Sequence, residues 1–186
     1  HQKLDNPLGD YFNANWLKPL YDQMANDGET MCPYVNVHET APDSGMDAFI
    51  DGPRYSSGYA ALFQTPGFIT ETLMLKPFKQ RVNATYTFLK NILILANNET
   101  SLRTKRREAR AAVQNKKAFY LDWKIDADKY NWLKFEGYEA VNIKSEITGS
   151  EILTFDAAKP KSMDIKFYNF ATGNDEQTVP KFFILE

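Results

Sequence analysis

The segment 67–77 constrains this chain more than any other, because it places one carboxylate inside a short apolar run. The run has the length and composition of a buried strand, opened by a glycine and closed by Lys76-Pro77. An ionised Glu71 buried there without a partner would be costly, so we expect it to be paired, protonated or chemically active at the end of the strand. The alternative is that Glu71 points to solvent from a half-buried strand. The apolar residues of the run are Phe68, Ile69, Leu73, Met74 and Leu75.

Residues on both sides of this segment extend the pattern. They are Gly52-Pro53-Arg54-Tyr55-Ser56-Ser57-Gly58-Tyr59 before it and Arg81-Val82-Asn83-Ala84-Thr85-Tyr86 after it. Together with residues 65–77, they resemble the carboxypeptidase A-like zinc metallopeptidases, most closely the bacterial branch whose catalytic Glu lies in Gly-Phe-x-x-Glu-Thr-x-Met-Leu-Lys-Pro. The resemblance covers residues 1–97 and places Glu71 at the position of the catalytic Glu. The chain departs from the expected pattern at Leu73, where we would expect His.

The resemblance implies a hydrolase, a bacterial carboxypeptidase that cleaves peptide substrates. In the family, zinc lowers the pKa of a bound water, and the Glu at the position of Glu71 takes its proton as the water attacks the scissile carbonyl. The same carboxylate then passes the proton to the leaving amine. The resemblance also implies a periplasmic or secreted location.

The zinc ligands of the family are expected to lie outside this chain. Family enzymes bind zinc through a His-x-x-Glu pair and a later His, all upstream of the general base, and leave one position open for water. The chain has two histidines, His1 and His38, and neither is followed three residues later by Glu. By resemblance, position 1 falls after the last zinc-binding His. We therefore expect zinc in the complete enzyme, none on this chain, and the missing N-terminal half of the same protein as a partner.

Three further residues are candidates for binding the substrate. Arg54 is suited to pair with the C-terminal carboxylate of a peptide through a bidentate fork, and Tyr55 or Tyr59 to supply a phenol that closes over the substrate. The alternative for Arg54 is a structural salt bridge with Asp51 or Asp47. The alternative for both tyrosines is a place in the hydrophobic core.

A second function stays open beside the enzyme. The chain also fits a catalytically inactive relative that binds peptide or glycan in the groove, with the β-rich half as its interaction surface. A His-x-x-Glu motif and a later His upstream of position 1 would favour the enzyme, and their absence would favour the binding module.

Hydrophobic periodicity predicts an α/β first half, part of a carboxypeptidase A-like mixed sheet with helices, followed by a β-rich second half. Helices are predicted over 9–27, 56–64 and about 77–97. After about Lys117, short alternating runs separated by turn residues predict antiparallel strands. The predicted domains are therefore 1–97, the C-terminal portion of the catalytic domain; 98–117, a connecting basic helix; and 118–186, a β-rich domain truncated at its C-terminus.

Composition excludes several classes of partner and anchor. The net charge of −2 and the lack of a polybasic field argue against nucleic acid, and the basic helix is explained either by anion binding or by a solvated face. The longest apolar run, 92–96, is far too short to span a bilayer. The single Cys32 excludes an internal disulfide framework.

Overall fold

The computed structural model describes residues 3–4, 7–34 and 36–182, and these form a mixed α/β structure with about 36% helix and 29% strand. The predicted mixture of helices and strands is confirmed at this level. The helices are α1 (Leu8–Phe12), a π-helical turn (Asn13–Leu17), α2 (Lys18–Asn26), a 3-10 turn (Pro42–Ser44), α3 (Ser56–Leu62), α4 (Phe78–Asn98) and α5 (Leu102–Gln114). The strands are β1 (Met46–Asp47), β2 (Ala118–Ile125), β3 (Asn131–Lys144), β4 (Glu151–Tyr168) and β5 (Ala171–Thr178).

The chain divides into two compact units, and neither is continuous in sequence. The first unit comprises His1–Met31, Ile50–Trp123 and Gly173–Glu186, and the second comprises Cys32–Phe49 and Lys124–Thr172. The predicted boundaries at residues 97 and 117 both fall inside the first unit. Residues of the predicted first half enter the second unit because β1 pairs with β4.

The predicted first helix forms as α1, the π-helical turn and α2 in direct succession. Its side chains at spacing four, Phe12, Trp16, Leu20 and Met24, are buried as their periodicity predicts. Proline at position 19 does not break the helix. A proline ring clashes with the carbonyl four residues earlier, and the wider π-helical turn just before it makes room for the ring.

The first unit has two hydrophobic clusters, each shared between helices distant in sequence. One contains Leu4, Leu8, Ala61 and Ala109 and thus joins α1, α3 and α5. The other joins α2 to α4 through Leu20, Met24 and Phe88. Because both clusters depend on contacts across more than 60 residues of sequence, they fix the relative positions of these helices within the unit.

The prediction of a strand over 67–77 is wrong for this structure. Residues 65–73 are irregular, and a turn follows at Met74. Phe68 anchors the segment, with its ring 5.2 Å from that of Phe12 and 5.7 Å from that of Phe88. Beyond Phe68 the apolar side chains are exposed, up to 84% at Leu75. A strand requires a neighbour to pair its backbone, and no strand among the described residues pairs with this segment.

In the second unit, β3 and β4 form the predicted antiparallel structure as one long hairpin, which begins with Asn131 opposite Phe167. The short β1 lies parallel to β4, and its Met46 is buried with Ile165 of β4. The hairpin turns near Gly149, whose φ of +71° favours glycine. β2 and β5 form a separate two-stranded sheet. Among the described residues, no helix is long and apolar enough to cross a membrane.

A hydrogen-bonded pair of side chains connects α1 to the start of α5. Tyr11 Oη donates a 2.6 Å hydrogen bond to Glu99 Oε2. Glu99 Oε1 accepts hydrogen bonds from the backbone N–H groups of Ser101 and Leu102. Burial favours the neutral carboxyl, but the bonds from Tyr11 and the two N–H groups outweigh it and lower the pKa of Glu99. Burial and the bond to Glu99 raise the pKa of Tyr11.

Replacing Tyr11 by Phe should therefore lower the free energy of unfolding near neutral pH by about 1 kcal/mol, because a hydrogen bond to a charged group is lost. A carboxyl with a lowered folded-state pKa stabilises above its unfolded-state pKa and loses that contribution as pH falls through the folded-state pKa. Urea unfolding at about pH 7 and about pH 3 should show the difference between variant and parent shrinking in acid. The control Tyr86→Phe, on an exposed side chain, should change stability by less than about 0.5 kcal/mol. An equal loss at both pH values would contradict this account.

Candidate functional site

The turn that carries Arg54 and Tyr55 is held tightly against the start of α3. A Cβ on Gly58 would lie 2.6 Å from the carbonyl oxygen of Asp51 and would also collide with that of Gly52. Only glycine allows this approach. The Tyr55 carbonyl accepts a 2.8 Å hydrogen bond from a backbone N–H in the first turn of α3. The turn is therefore part of a rigid helix–turn scaffold, on which functional side chains are commonly positioned.

The alternative interpretation of Arg54 as a structural salt bridge is wrong. Asp51 pairs with Lys3 at 3.5 Å, with both side chains less than 15% exposed. Asp47 instead pairs with His38 at 3.1 Å. Arg54 is exposed and takes part in none of the ion pairs among the described residues. Its guanidinium is thus presented to solvent.

The two candidate tyrosines are surface residues rather than core residues. Tyr55 is 49% exposed and Tyr59 is 56% exposed. Tyr59 packs its ring 5.2 Å from that of Phe63, one helical turn further along. The core alternative for these tyrosines is therefore wrong, whereas their role in binding substrate stays a prediction.

Glu71 is exposed and lies in the irregular segment that follows Phe68. It makes no hydrogen bond or ion pair with any described residue, and so it is not joined to Arg54 or to either tyrosine. The start of the segment nevertheless packs against α3, since a Cβ on Gly67 would lie 3.6 Å from Ser57 Cα. Glu71 is the fourth residue after Gly67, which limits the distance between their Cα atoms to about 14 Å. Glu71 therefore lies within this chain length of α3, and it has no hydrogen bond or ion pair with the other candidates.

Exposed apolar side chains flank Glu71 in the chain and continue along α4. We define the apolar surface as the exposed apolar residues of the segment 69–75 and of the outer face of α4. Those on α4 recur every three or four residues and so share one side of the helix. Monomeric proteins rarely leave a large contiguous apolar patch open to water, so many exposed apolar side chains in one segment and on one side of a helix are a candidate interaction surface. Its members are Ile69, Leu73, Met74, Leu75, Phe78, Val82, Tyr86, Leu89 and Leu93, exposed by 47% or more.

The sequence analysis did not predict this surface, although the periodicity of α4 indicated it. The periodicity of α4 indicates two adjacent apolar faces, and a helix that is apolar on most sides is normally buried all round. The structure buries the face with Phe88 and Ile92 against α2 and exposes the other.

The described residues do not provide a zinc site. No group of three His, Cys, Asp or Glu side chains in the ranges 3–4, 7–34 and 36–182 could hold a metal ion. His38 is engaged with Asp47, and its ring stacks 5.0 Å from that of Tyr168. His1 lies outside the described residues. The prediction of zinc in the complete enzyme therefore depends on ligands from elsewhere in the protein.

Comparison with known proteins found no family model that matches the chain, and neither a curated protein nor a solved structure matches it. The resemblance to carboxypeptidase A-like peptidases consequently depends on the motifs around Arg54 and Glu71 alone.

The close approach at α3 can be tested by adding a single methyl group. Gly58→Ala should lower the free energy of unfolding by roughly 1–3 kcal/mol, because the new Cβ must displace the backbone of the Arg54 turn. In an unconstrained helix the same change would instead stabilise by up to about 1 kcal/mol.

The control is Gly52→Ala, where a Cβ would meet no atom within 4 Å. We expect it to change stability by less than about 0.5 kcal/mol in urea unfolding. A Gly58→Ala variant as stable as the parent would show that the turn is not held in this way.

Proposed function

We propose that this chain is the C-terminal part of a carboxypeptidase A-like zinc metallopeptidase, in which Glu71 acts as the general base of peptide hydrolysis. The observation that supports the proposal is the apolar surface, whose members Ile69 and Leu73 flank Glu71 in the chain. A carboxylate acts efficiently as a base in a site shielded from bulk water. A partner that covered exposed side chains such as Leu73 and Met74 would supply that shielding.

The proposed cover is the missing N-terminal half of the same protein. Strands supplied by that half would pair with the segment 67–77 and add it to a carboxypeptidase A-like mixed sheet. They would also bury the outer face of α4. The same half would bring the zinc ligands, which the described residues of this chain do not supply.

The residues of this chain would then have distinct roles. Glu71 would take a proton from the attacking water and give it to the leaving amine. The exposed guanidinium of Arg54 would bind the C-terminal carboxylate of the peptide, since its planar fork matches a carboxylate bidentately. Tyr55 or Tyr59 would close over the bound substrate. The rigid turn at Gly58 favours these roles because it fixes the position of Arg54 before substrate arrives.

A cleft in the second unit favours the alternative function, a module that binds peptide or glycan. The cleft has a volume of about 450 Å³ and lies between the β3–β4 hairpin and residues 37–43. Apolar walls with a few polar groups at the rim are typical of ligand sites. Its apolar lining includes Val37, Pro42, Phe135, Tyr138, Phe155 and Met163.

In the complete protein, Glu71→Gln should lower kcat by about 10²–10⁴-fold, because Gln keeps the volume and hydrogen-bonding reach of Glu but cannot accept a proton. Zinc content, measured on the same preparation, should stay at the level of the parent. The control Glu146→Gln, in the exposed turn between β3 and β4, should leave kcat unchanged. Normal kcat in the Glu71→Gln variant would remove Glu71 from the mechanism. No measurable turnover in the unmodified complete protein would instead favour the binding module.

The 186-residue chain alone should neither retain zinc through dialysis nor cleave peptides. A tightly bound zinc requires three converging protein ligands, which must come from the missing half if the proposal is correct. Elemental analysis and a carboxypeptidase assay on the isolated chain test this expectation. One tightly held zinc per chain would contradict it and would return the metal site to this polypeptide.

A further inference from the structure

One face of α5 carries four arginines, and we propose that this arginine face binds a small ligand with several phosphate groups. Arg106 and Arg107 are adjacent, and each lies three or four residues from both Arg103 and Arg110, so the four extend from the same side of the helix. Together with Gln114 they line a hollow of about 390 Å³. The proposal is independent of the peptidase function.

The positive charge of the arginine face is not neutralised by the part of the chain that the structure describes. Glu108 is the only acidic residue of α5, and it lies 3.4 Å from Lys105 Nζ. None of the described ion pairs includes an arginine of the face. Like charges three and four residues apart destabilise a helix. A multivalent anion bridging the guanidinium groups would replace this repulsion with attraction.

The helix that carries these arginines is fixed in place before any ligand binds. Ala109, on the side of α5 that adjoins Arg106, is fully buried in the cluster with Leu8. Arg106 Nε donates a 2.9 Å hydrogen bond to Thr65 Oγ1, which ties the edge of the face to the segment after α3. The free-energy cost of binding a ligand therefore includes the ordering of arginine side chains but not the folding or positioning of the helix.

The geometry of the face favours phosphate groups on a small molecule. Guanidinium forks bind phosphate oxygens bidentately. From Arg103 to Arg110 the helix rises by about 10 Å, roughly the reach of a di- or triphosphate. The chain as a whole has a net charge of −2 despite these arginines, so a longer polyanion would meet an excess of negative charge beyond the face. The lining residues include no large apolar side chain for insertion into a membrane.

The test is calorimetric titration of the whole chain with inorganic tripolyphosphate at about 10 mM ionic strength, where charge interactions are weakly screened. We expect saturable binding to one site. The combined substitution Arg103→Gln, Arg107→Gln and Arg110→Gln should weaken binding by at least about a hundredfold, since three charge-assisted contacts are lost. Glutamine keeps the helix propensity of arginine, so α5 should still form, which circular dichroism can verify.

A matched control removes the same charge elsewhere. Lys79→Gln, Lys124→Gln and Lys144→Gln act on exposed side chains and should change the affinity by less than about threefold. A second triple variant replaces the same three arginines by lysine, which keeps the charge but loses the fork, and it should bind at least about tenfold more weakly than the parent. Binding equal to the parent in the lysine variant would reduce the effect to unspecific charge attraction and overturn the proposal.

Two further probes separate the sources of phosphate. Tripolyphosphate binding without binding to vesicles of phosphatidylcholine and phosphatidic acid supports a soluble ligand, and vesicle binding that requires the three arginines supports a lipid headgroup. Failure to bind either probe overturns the proposal. So does a single-stranded oligonucleotide whose affinity rises with its length and falls in the glutamine variant, because the face would then bind a long polyanion rather than a small ligand.

Discussion

Helix α4 packs against the rest of the first unit along one of its two apolar faces and exposes the other. This difference between the two faces bears on the Glu71 segment and on the proposed partner. Phe88 and its neighbours meet α2, whereas the face with Tyr86 and Leu93 is exposed. Burying a large apolar side chain contributes roughly 1.5–3 kcal/mol. The exposed face thus leaves unused a stabilisation of several kcal/mol, which a polypeptide laid over it would supply. This is the physical reason for placing the proposed partner here.

The segment that carries Glu71 is anchored to the core at its ends and unsupported between them. The segment is fixed at one end by Phe68, between Phe12 and Phe88, and at the other by Pro77 at the start of α4. Between these points its backbone has no strand neighbour among the described residues. An incoming strand could therefore pair with the segment without disturbing the core that anchors it. The partner proposed above would pair the backbone of this segment and cover the exposed face of α4 together.

Hydrophobic periodicity predicted the elements that depend mainly on residues close together in sequence. The periodicity predicted α4 to within one residue at each end. Alternation predicted antiparallel strands after about Lys117, but as short runs, where the structure has the two long strands of the β3–β4 hairpin. The periodicity alone could not decide which apolar face of α4 is buried, because that choice depends on packing against α2, which lies more than 50 residues earlier in the chain. The strand over 67–77 was mispredicted for a similar reason, since apolar composition is necessary for a buried strand but its pairing partner must come from elsewhere. The two residues of β1 are too few to carry a pattern.

The candidate site was predictable in its residues but not in their partners. Arg54 lies among several acidic residues in sequence, and only the fold assigns Asp51 to Lys3. Among the described residues, Arg54 and Glu71 have no ion-pair partner, and both side chains are exposed. Covering the apolar surface would remove water around Glu71 and make an unpaired charge there costly. A proton received from a reacting water would relieve that cost, and a substrate carboxylate would similarly pair with Arg54. If the proposal is correct, binding of the N-terminal half would both cover the apolar surface and make Glu71 reactive as a base.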